Sequence, residues 1–347
     1  MPTTANGWGV ESPTDAIHQI TCERRDLKPE DVRITISHCG ICHSDLHFAH
    51  DDWGMSHYPM IPGHEIVGVV EEVGSAVSSF AKGDRVAVGC MVDSCQNCEF
   101  CDGGEEQFCV EGSTFTYGVP DRHGGISQGG YSDHIVVRQE FVCRVPDALD
   151  MAHAAPLLCA GITTYSPLKR WGVKEGQKVA VIGMGGLGNM AVKLAKALGA
   201  EVTVISRSND KEAAAKAAGA SELLVSTDEE AMGAAAGRFH LILDTIPVGH
   251  SVDSYTPLLR PYGTLVLVGA PEPIPEVSGG TLIFGNRAVA GTMIGGVNET
   301  QEMLDFCAEH GVTPDIEVIK GSEIAKAWDT LAAGDMPHRY VIDIASS

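Results

Sequence analysis

The chain has 347 residues, with 46 acidic against 24 basic side chains and a formal charge of −22. Recognition of a phosphate backbone needs a basic face, so this balance excludes nucleic acid as a partner. The length exceeds what one hydrophobic core usually supports, and the composition, 44% hydrophobic and 20% charged, is that of an ordinary globular protein of about two domains.

The first ten residues, MPTTANGWGV, have neither a basic nor an apolar region of the kind that directs export, and no apolar run of about 18 residues follows. A cytoplasmic protein with no membrane contact is expected. Residues 1–150 are rich in Gly and Pro, with short alternating stretches and no helical spacing, which reads as an irregular β domain. Within it, HCGICHSDLH places Cys39, Cys42, His43, Ser44, Asp45 and His47 together, and PGHEIVGVVEEVG opens with His64 and Glu65 ahead of a β-branched run. A strand that only fills a core has no use for adjacent His and Glu, because buried polar groups must be paired or metal-bound.

Eleven cysteines, an odd number in a chain with no export signal, argue against a disulfide framework. Cys95, Cys98, Cys101 and Cys109 are separated by two, two and seven residues. Such short loops let thiolates converge on one ion, and four sulfurs in a closed tetrahedron are the structural zinc arrangement. An iron–sulfur cluster is the rival reading, but its usual third gap is three residues and proline follows, whereas Val110 follows here. Cys22, Cys39, Cys143 and Cys307 read as small buried apolar groups.

From about residue 155 the pattern changes. Apolar runs ending at Gly183, Ser206, Ser226, Thr245 and Gly269 are expected as strands, and GNMAVKLAKALGA and NDKEAAAKAAGA as helices between them. Strands alternating with helices specify α/β architecture with a doubly wound parallel sheet. Between the first strand and its helix, GMGGLGNM sets Gly183, Gly185 and Gly188 in the G-x-G-x-x-G spacing of a dinucleotide turn, in which Gly186 and Leu187 also lie. The second strand ends in Ser206, Arg207 and Ser208, with Lys211 beyond. This set suits a 2′-phosphate better than a bare ribose, so NADP is favoured over NAD; Asp210 lies past the strand end.

Taken with APLLCAGITTYSPL around Cys159, QGGYSDHIVV and ETQEMLDFCAEHGV, these motifs are ordered along nearly the whole chain. They resemble the zinc-dependent medium-chain alcohol dehydrogenases, specifically the branch of cinnamyl alcohol dehydrogenases and bacterial aldehyde reductases. The resemblance implies a GroES-like β domain from residues 1–155 and 297–347, carrying a structural zinc lobe at about 90–112. A Rossmann domain over 156–296 would lie between these segments in sequence. It implies catalytic zinc on Cys42, His64 and Cys159 with Glu65 nearby, structural zinc on the four-cysteine lobe, and Asp45 orienting His64. It implies a proton path through Ser44 and His47.

For the cofactor, the resemblance implies His43 and Arg339 at the pyrophosphate, and Thr245, Val268, Gly269 and Ile294 around NADP(H). The segment GDMPHRYVID, which carries Arg339, replaces a more basic stretch usual in the family before the last strand. For the substrate it implies a pocket near Trp53, Cys90, Phe115 and Tyr117, and for the assembly a homodimer joined near AVAGTMIGG. The expected activity is hydride transfer between NADPH and a primary alcohol or aldehyde. A zinc-free quinone or enone reductase would lack both cysteine sets, and a non-catalytic nucleotide-binding protein would have no use for Ser44 and His47 beside a metal.

Overall fold

The computed structural model describes residues 2–269, 273, 277–334 and 338–346. Three residues of GDMPHRYVID, 335–337, therefore lie outside the described residues. The chain divides into two compact units, Met1–Cys159 with Gly295–Ser347, and Ala160–Ile294. The division falls after Cys159 rather than at 155/156, because segment 151–158 packs on strands Asp31–Gly40 and Ile66–Val73 of the first unit.

The first unit is built on Asp31–Gly40, a ten-residue strand. Its sheet runs Ile316–Lys320, Arg339–Asp343, Asp31–Gly40, Ile66–Val73, Arg85–Val88, Cys143–Arg144, with His134–Arg138 also paired to the long strand. Val32, Ile34, Ile36, Ile66, Val67, Val86, Val137 and Ile342 are all fully buried. The ladder is antiparallel apart from the pair at its C-terminal edge. Register shifts in the long strand at Arg33/Ile34 and Ile36/His38 bend the sheet, as unpaired extra residues do.

The register also sets what meets at the strand ends. Cys39 lies opposite Ile66, and the Gly40 amide donates to the Glu65 carbonyl. Cys42 therefore follows one strand just where His64 and Glu65 precede the next. On the other side Val341 pairs with Gly40, and the Ile41 amide donates to the Tyr340 carbonyl.

The second unit is a six-stranded parallel sheet. By first residue its order is 222, 201, 178, 239, 259, 288, which is the 3-2-1-4-5-6 order of the dinucleotide fold. The five expected strands are present, and Ala288–Gly291 adds a sixth at the edge; AVAG is too short and alanine-rich to read as a strand by itself. Gly186–Ala197 and Glu212–Ala218 are the expected helices, the second stopped by Gly219 at φ +104°. Ala180, Ile182, Ile205, Leu224, Phe239, Ile242 and Leu265 form the core between sheet and helices. Among the described residues, no helix is long and apolar enough to cross a membrane.

Candidate metal and dinucleotide sites

Cys42, His64, Glu65 and Cys159 offer ligand atoms that all lie within 4.8 Å of one another, and all four residues are buried. Each is placed by a local device. Cys42 is the N-cap of helix His43–Ala49, and its amide donates to Asp45 Oδ2 at 2.8 Å. Asp45 is fully buried and also accepts the Tyr131 hydroxyl at 2.8 Å and the Gly63 amide at 3.2 Å. Its Oδ1 lies 3.4 Å from His64 Nδ1, which also faces the Tyr117 hydroxyl at 3.2 Å. These partners occupy Nδ1 and leave Nε2 of His64 for a metal, the usual outer-shell arrangement.

The cluster calls for a cation. Cys42 Sγ and Cys159 Sγ are 3.8 Å apart, the edge of a tetrahedron with metal–sulfur bonds of about 2.3 Å. The bond from Cys159 draws the Cys42 thiol well below its ordinary range, while Cys159, facing Cys42 and Cys90, is held far above its own. Without a cation, ionising one thiol of the pair opposes ionising the other. His64 is held above the imidazole range although burial opposes it, with Cys90, Asp45 and Cys42 supplying the negative field. Glu65 is fully buried; burial drives its carboxyl up to about 7 against the pull of Arg339. Its Oε1 pairs with the Arg339 guanidinium, whereas Oε2 has no hydrogen-bond partner. Gly40 makes room for that orphaned oxygen: a Cβ there would overlap Oε2. An unpartnered carboxylate oxygen beside two thiols and an imidazole fits a bound divalent metal.

The second cluster is Cys95, Cys98, Cys101 and Cys109, again within 4.8 Å. Sulfur separations of 3.8 Å for Cys95–Cys101 and 3.5 Å for Cys98–Cys101 suit one tetrahedral ion. Amides of Cys101 and Val110 pull the Cys98 thiol down to about 6, and Arg122 approaches Cys109 Sγ at 3.9 Å. With four equivalent sulfurs the set is closed, where the first has mixed donors and an open oxygen.

In the parallel unit, Gly183 has φ +91°, and a side chain there would meet Thr245 Oγ1 at 2.8 Å. A Cβ on Gly188 would overlap the Gly183 carbonyl, whereas one on Gly185 would meet nothing within 4 Å. The first and third glycines are thus demanded by packing, and the second leaves the N-terminus of the twelve-residue helix Gly186–Ala197 open to an anion. Gly186 and Leu187 form its first turn.

Residues 28–147 match the alcohol dehydrogenase GroES-like domain family, and residues 186–309 the zinc-binding dehydrogenase family. The probable formaldehyde dehydrogenase AdhA of Bacillus subtilis is 52% identical over 328 residues, 94% of each chain. The chain belongs to the zinc-binding alcohol dehydrogenases. The NADP-dependent alcohol dehydrogenase C 1 of Mycolicibacterium smegmatis is 49% identical over 99% of both chains. The structure of CAD from Helicobacter pylori complexed with NADP(H) is 42% identical and superposes with a TM-score of 0.93 over 100% of both chains. The units of this dehydrogenase are accordingly a GroES-like β domain and a Rossmann domain.

The other expected site residues fall as follows. Ser44 and His47 are three apart on helix His43–Ala49; Ser44 Oγ is 3.7 Å from Cys42 Sγ, and His47 Nδ1 bonds Asp52 Oδ2 at 2.8 Å. His43 stacks beside His47 with ring centroids 5.8 Å apart. Arg339, expected at a pyrophosphate, is buried and pairs through one guanidinium nitrogen with Glu65 beside the metal cluster, while its Nε has no hydrogen-bond partner. Tyr117, expected in the pocket, is buried, stacks on His64 at 5.7 Å and serves the imidazole. Trp53, half-exposed, meets Phe48 edge-on at 5.2 Å, and Phe48 also packs on Phe115 and Tyr117; Phe48 gave no signal beyond its place on an apolar helix face. Cys90 bonds the Leu158 carbonyl at 3.7 Å and lies beside Cys159. Cys39, Cys143 and Cys307 are buried as expected, but Cys22 is only half-buried.

Ser206 ends its strand, with Arg207 next. The Ser208 hydroxyl donates to Asp210 Oδ2 at 2.8 Å, so that carboxylate stands closer to the expected phosphate site than strand position alone suggested. Lys211 closes the same short 3₁₀ turn. Thr245 Oγ1 donates to the Ile182 carbonyl at 2.7 Å, and the amides of Val268 and Gly269 donate to the Asp244 carbonyl. Ile294 has φ +36°, a costly conformation for a β-branched residue.

Proposed function

We propose that this dehydrogenase reduces aldehydes with NADPH, and oxidises the corresponding primary alcohols, at a zinc held by Cys42, His64 and Cys159. The observation that carries the reading is the buried cluster of two thiols, one imidazole and one carboxylate with an unpartnered oxygen. Zinc bound there would act as a Lewis acid on a carbonyl oxygen, the ordinary role of an open Cys₂His site. The chain's own residues supply the rest. Asp45 and Tyr117 hold the imidazole in one tautomer, and Arg339 balances the Glu65 charge close to the ligands. Ser44, near the Cys42 sulfur, and His47, half-exposed and fixed by Asp52, form the start and the outer end of a path that brings a proton from solvent.

The open face at Gly185 and the helix behind it would take the pyrophosphate, with Ser206, Arg207, Ser208 and Lys211 at the 2′-phosphate. Similarity to an NADP-dependent alcohol dehydrogenase and to a structure complexed with NADP(H) supports that cofactor. Phe48, Trp53, Phe115 and Tyr117 form an aromatic cluster that reaches His64 through Tyr117, which suits aromatic or medium-chain aldehydes and broad specificity. A cytoplasmic homodimer, paired along the edge strand Ala288–Gly291, completes the reading.

The test is a panel of aliphatic and aromatic aldehydes with each cofactor, scored by kcat/KM. Aromatic aldehydes should lead, and NADPH should exceed NADH at least about tenfold, the value of one charge-assisted contact. Ser206→Asp should reverse that preference. Equal efficiency with both cofactors would show Arg207 and Lys211 to be solvated surface cations.

A further inference from the structure

Gln128–Ser132, the QGGYS of the sequence, belongs to no helix or strand, yet it lies along the segment that ends in His64. Gln128 Oε1 accepts the Ile61 amide at 2.8 Å, and its Nε2 donates to the Pro59 carbonyl at 3.0 Å. The next three amides, of Gly129, Gly130 and Tyr131, donate to the carbonyls of Ile61, Gly63 and Pro62 at 2.6, 2.9 and 3.0 Å. The approach is close enough that a Cβ on Gly129 would overlap the Pro62 carbonyl. The Tyr131 hydroxyl then reaches Asp45, whose other oxygen faces the Gly63 amide and His64. The loop is thus a mould for residues 59–64. It touches both the backbone ahead of the imidazole and the carboxylate beside it.

An irregular loop has no ladder of its own, so its buried carbonyls need donors from elsewhere. Arg24, at the end of strand His18–Arg24 and 6% exposed, supplies them. Its Nη1 donates to the Gln128 carbonyl, and its Nη2 to the Gly129 carbonyl at 2.8 Å and to Ser132 Oγ at 2.7 Å. The Ser132 hydroxyl in turn donates to the Gly129 carbonyl at 2.9 Å. These acceptors are neutral, so hydrogen bonds rather than a bonded carboxylate offset the burial of the charge. The rigid fork of a guanidinium spans all three acceptors, a geometry that the compact ammonium of a lysine does not match.

We propose that Arg24 is a positioning residue of the metal site: it pins loop Gln128–Ser132, and the loop sets His64 directly through residues 59–63 and indirectly through Tyr131 and Asp45. None of these three Arg24 bonds reaches a metal ligand, so its influence passes through the loop.

The proposal rests on reading the Cys42 cluster as a zinc site, and the experiment separates the two. Release of zinc from the loaded enzyme to a chromophoric chelator is followed in time, with Cys159→Ala as the reference for the lobe zinc alone. Arg24→Lys keeps the charge and loses the fork; it should speed release from the Cys42 site by about three- to tenfold and leave the lobe phase unchanged. Tyr131→Phe should speed the same phase by about tenfold, the lower end for a residue that orients a ligand through its hydrogen bonds. Because both changes act through one loop, the double variant should fall well short of the product of the two single effects. Gln128→Met leaves Arg24 in place and cuts only the side-chain bonds to residues 59–61. The same selective loss there keeps the test independent of whether a change at buried Arg24 is tolerated. Equal acceleration of both phases in these variants would mean general loosening and overturn the positioning role, as would a double variant that reaches the full product. A folded wild type with no phase that Cys159→Ala lacks would overturn the zinc reading, and the proposal with it.

Discussion

The two cysteine clusters are built from the same sulfur chemistry but in opposite ways. The lobe closes within a separation of 14 residues, from Cys95 to Cys109, and is half-exposed. The Cys42 cluster joins sulfurs 117 residues apart and a carboxylate whose counterion is 274 residues away, all of it buried. A short loop of four equal ligands gains stability from an ion and offers nothing further, because no coordination position is left. A long-range set of unequal donors leaves one oxygen unsatisfied and must be held in shape by the fold around it. The difference teaches that one metal serves the fold, and that the fold serves the other.

The sharpest way to break this contrast is to remove one ligand from each. Cys159→Ala should abolish turnover while retaining one zinc per chain and a near-native melting curve. Cys98→Ser should lose the lobe zinc and lower Tm by about 10 °C or more, since binding energy there is folding energy. Elemental analysis with thermal melts decides it, and two zincs retained in Cys159→Ala would sink the assignment of that site.

The counterion comes next. Arg339→Met would strand the buried Glu65 carboxylate and should cost about 3–5 kcal/mol by denaturant unfolding. Adding Glu65→Gln should recover most of that loss without restoring activity. If both variants are equally unstable, the pair is not coupled and Arg339 acts elsewhere.

Gly40→Ala tests the space kept for Glu65 Oε2. The added methyl should cost about 1–3 kcal/mol and weaken zinc binding at the Cys42 site, with lobe zinc unchanged. Equal zinc retention at both sites would mean that Oε2 moves aside freely.

The smallest effect is expected at the solvent end. His47→Gln should leave both zincs and the Tm in place, and lower kcat by about tenfold, below the usual range for a proton carrier because water can substitute. It should also flatten the pH–rate profile on its acidic limb; an unchanged profile would remove His47 from the proton path.

What was legible beforehand follows the same divide. The glycine turn and the four-cysteine lobe are local, so spacing alone discloses them, and their geometry is close to what the spacing demands. The buried cluster was legible only because Cys42, His64 and Cys159 sit in motifs resembling a known family. The contacts that hold it were not. Tyr131 on Asp45, Tyr117 on His64 and Arg339 on Glu65 join loops, a helix and a strand far apart in sequence, and no periodicity marks them. The aromatic Phe48 was missed for a plainer reason: it is isolated enough to pass for filler.

Arg339 has one further consequence, for the order in which the molecule is made. The strand that carries it pairs with Asp31–Gly40, so Cys42, His64 and Cys159 are synthesised some 180 residues before the arginine that pairs with the Glu65 carboxylate. At synthesis rates of about 5–20 residues per second, that is an interval of roughly 10–40 s. In a chain that has not yet added Arg339–Asp343, the sheet lacks an inner strand and Glu65 lacks its counterion. A zinc ion captured in that interval would neutralise the cluster before its protein counterion arrives.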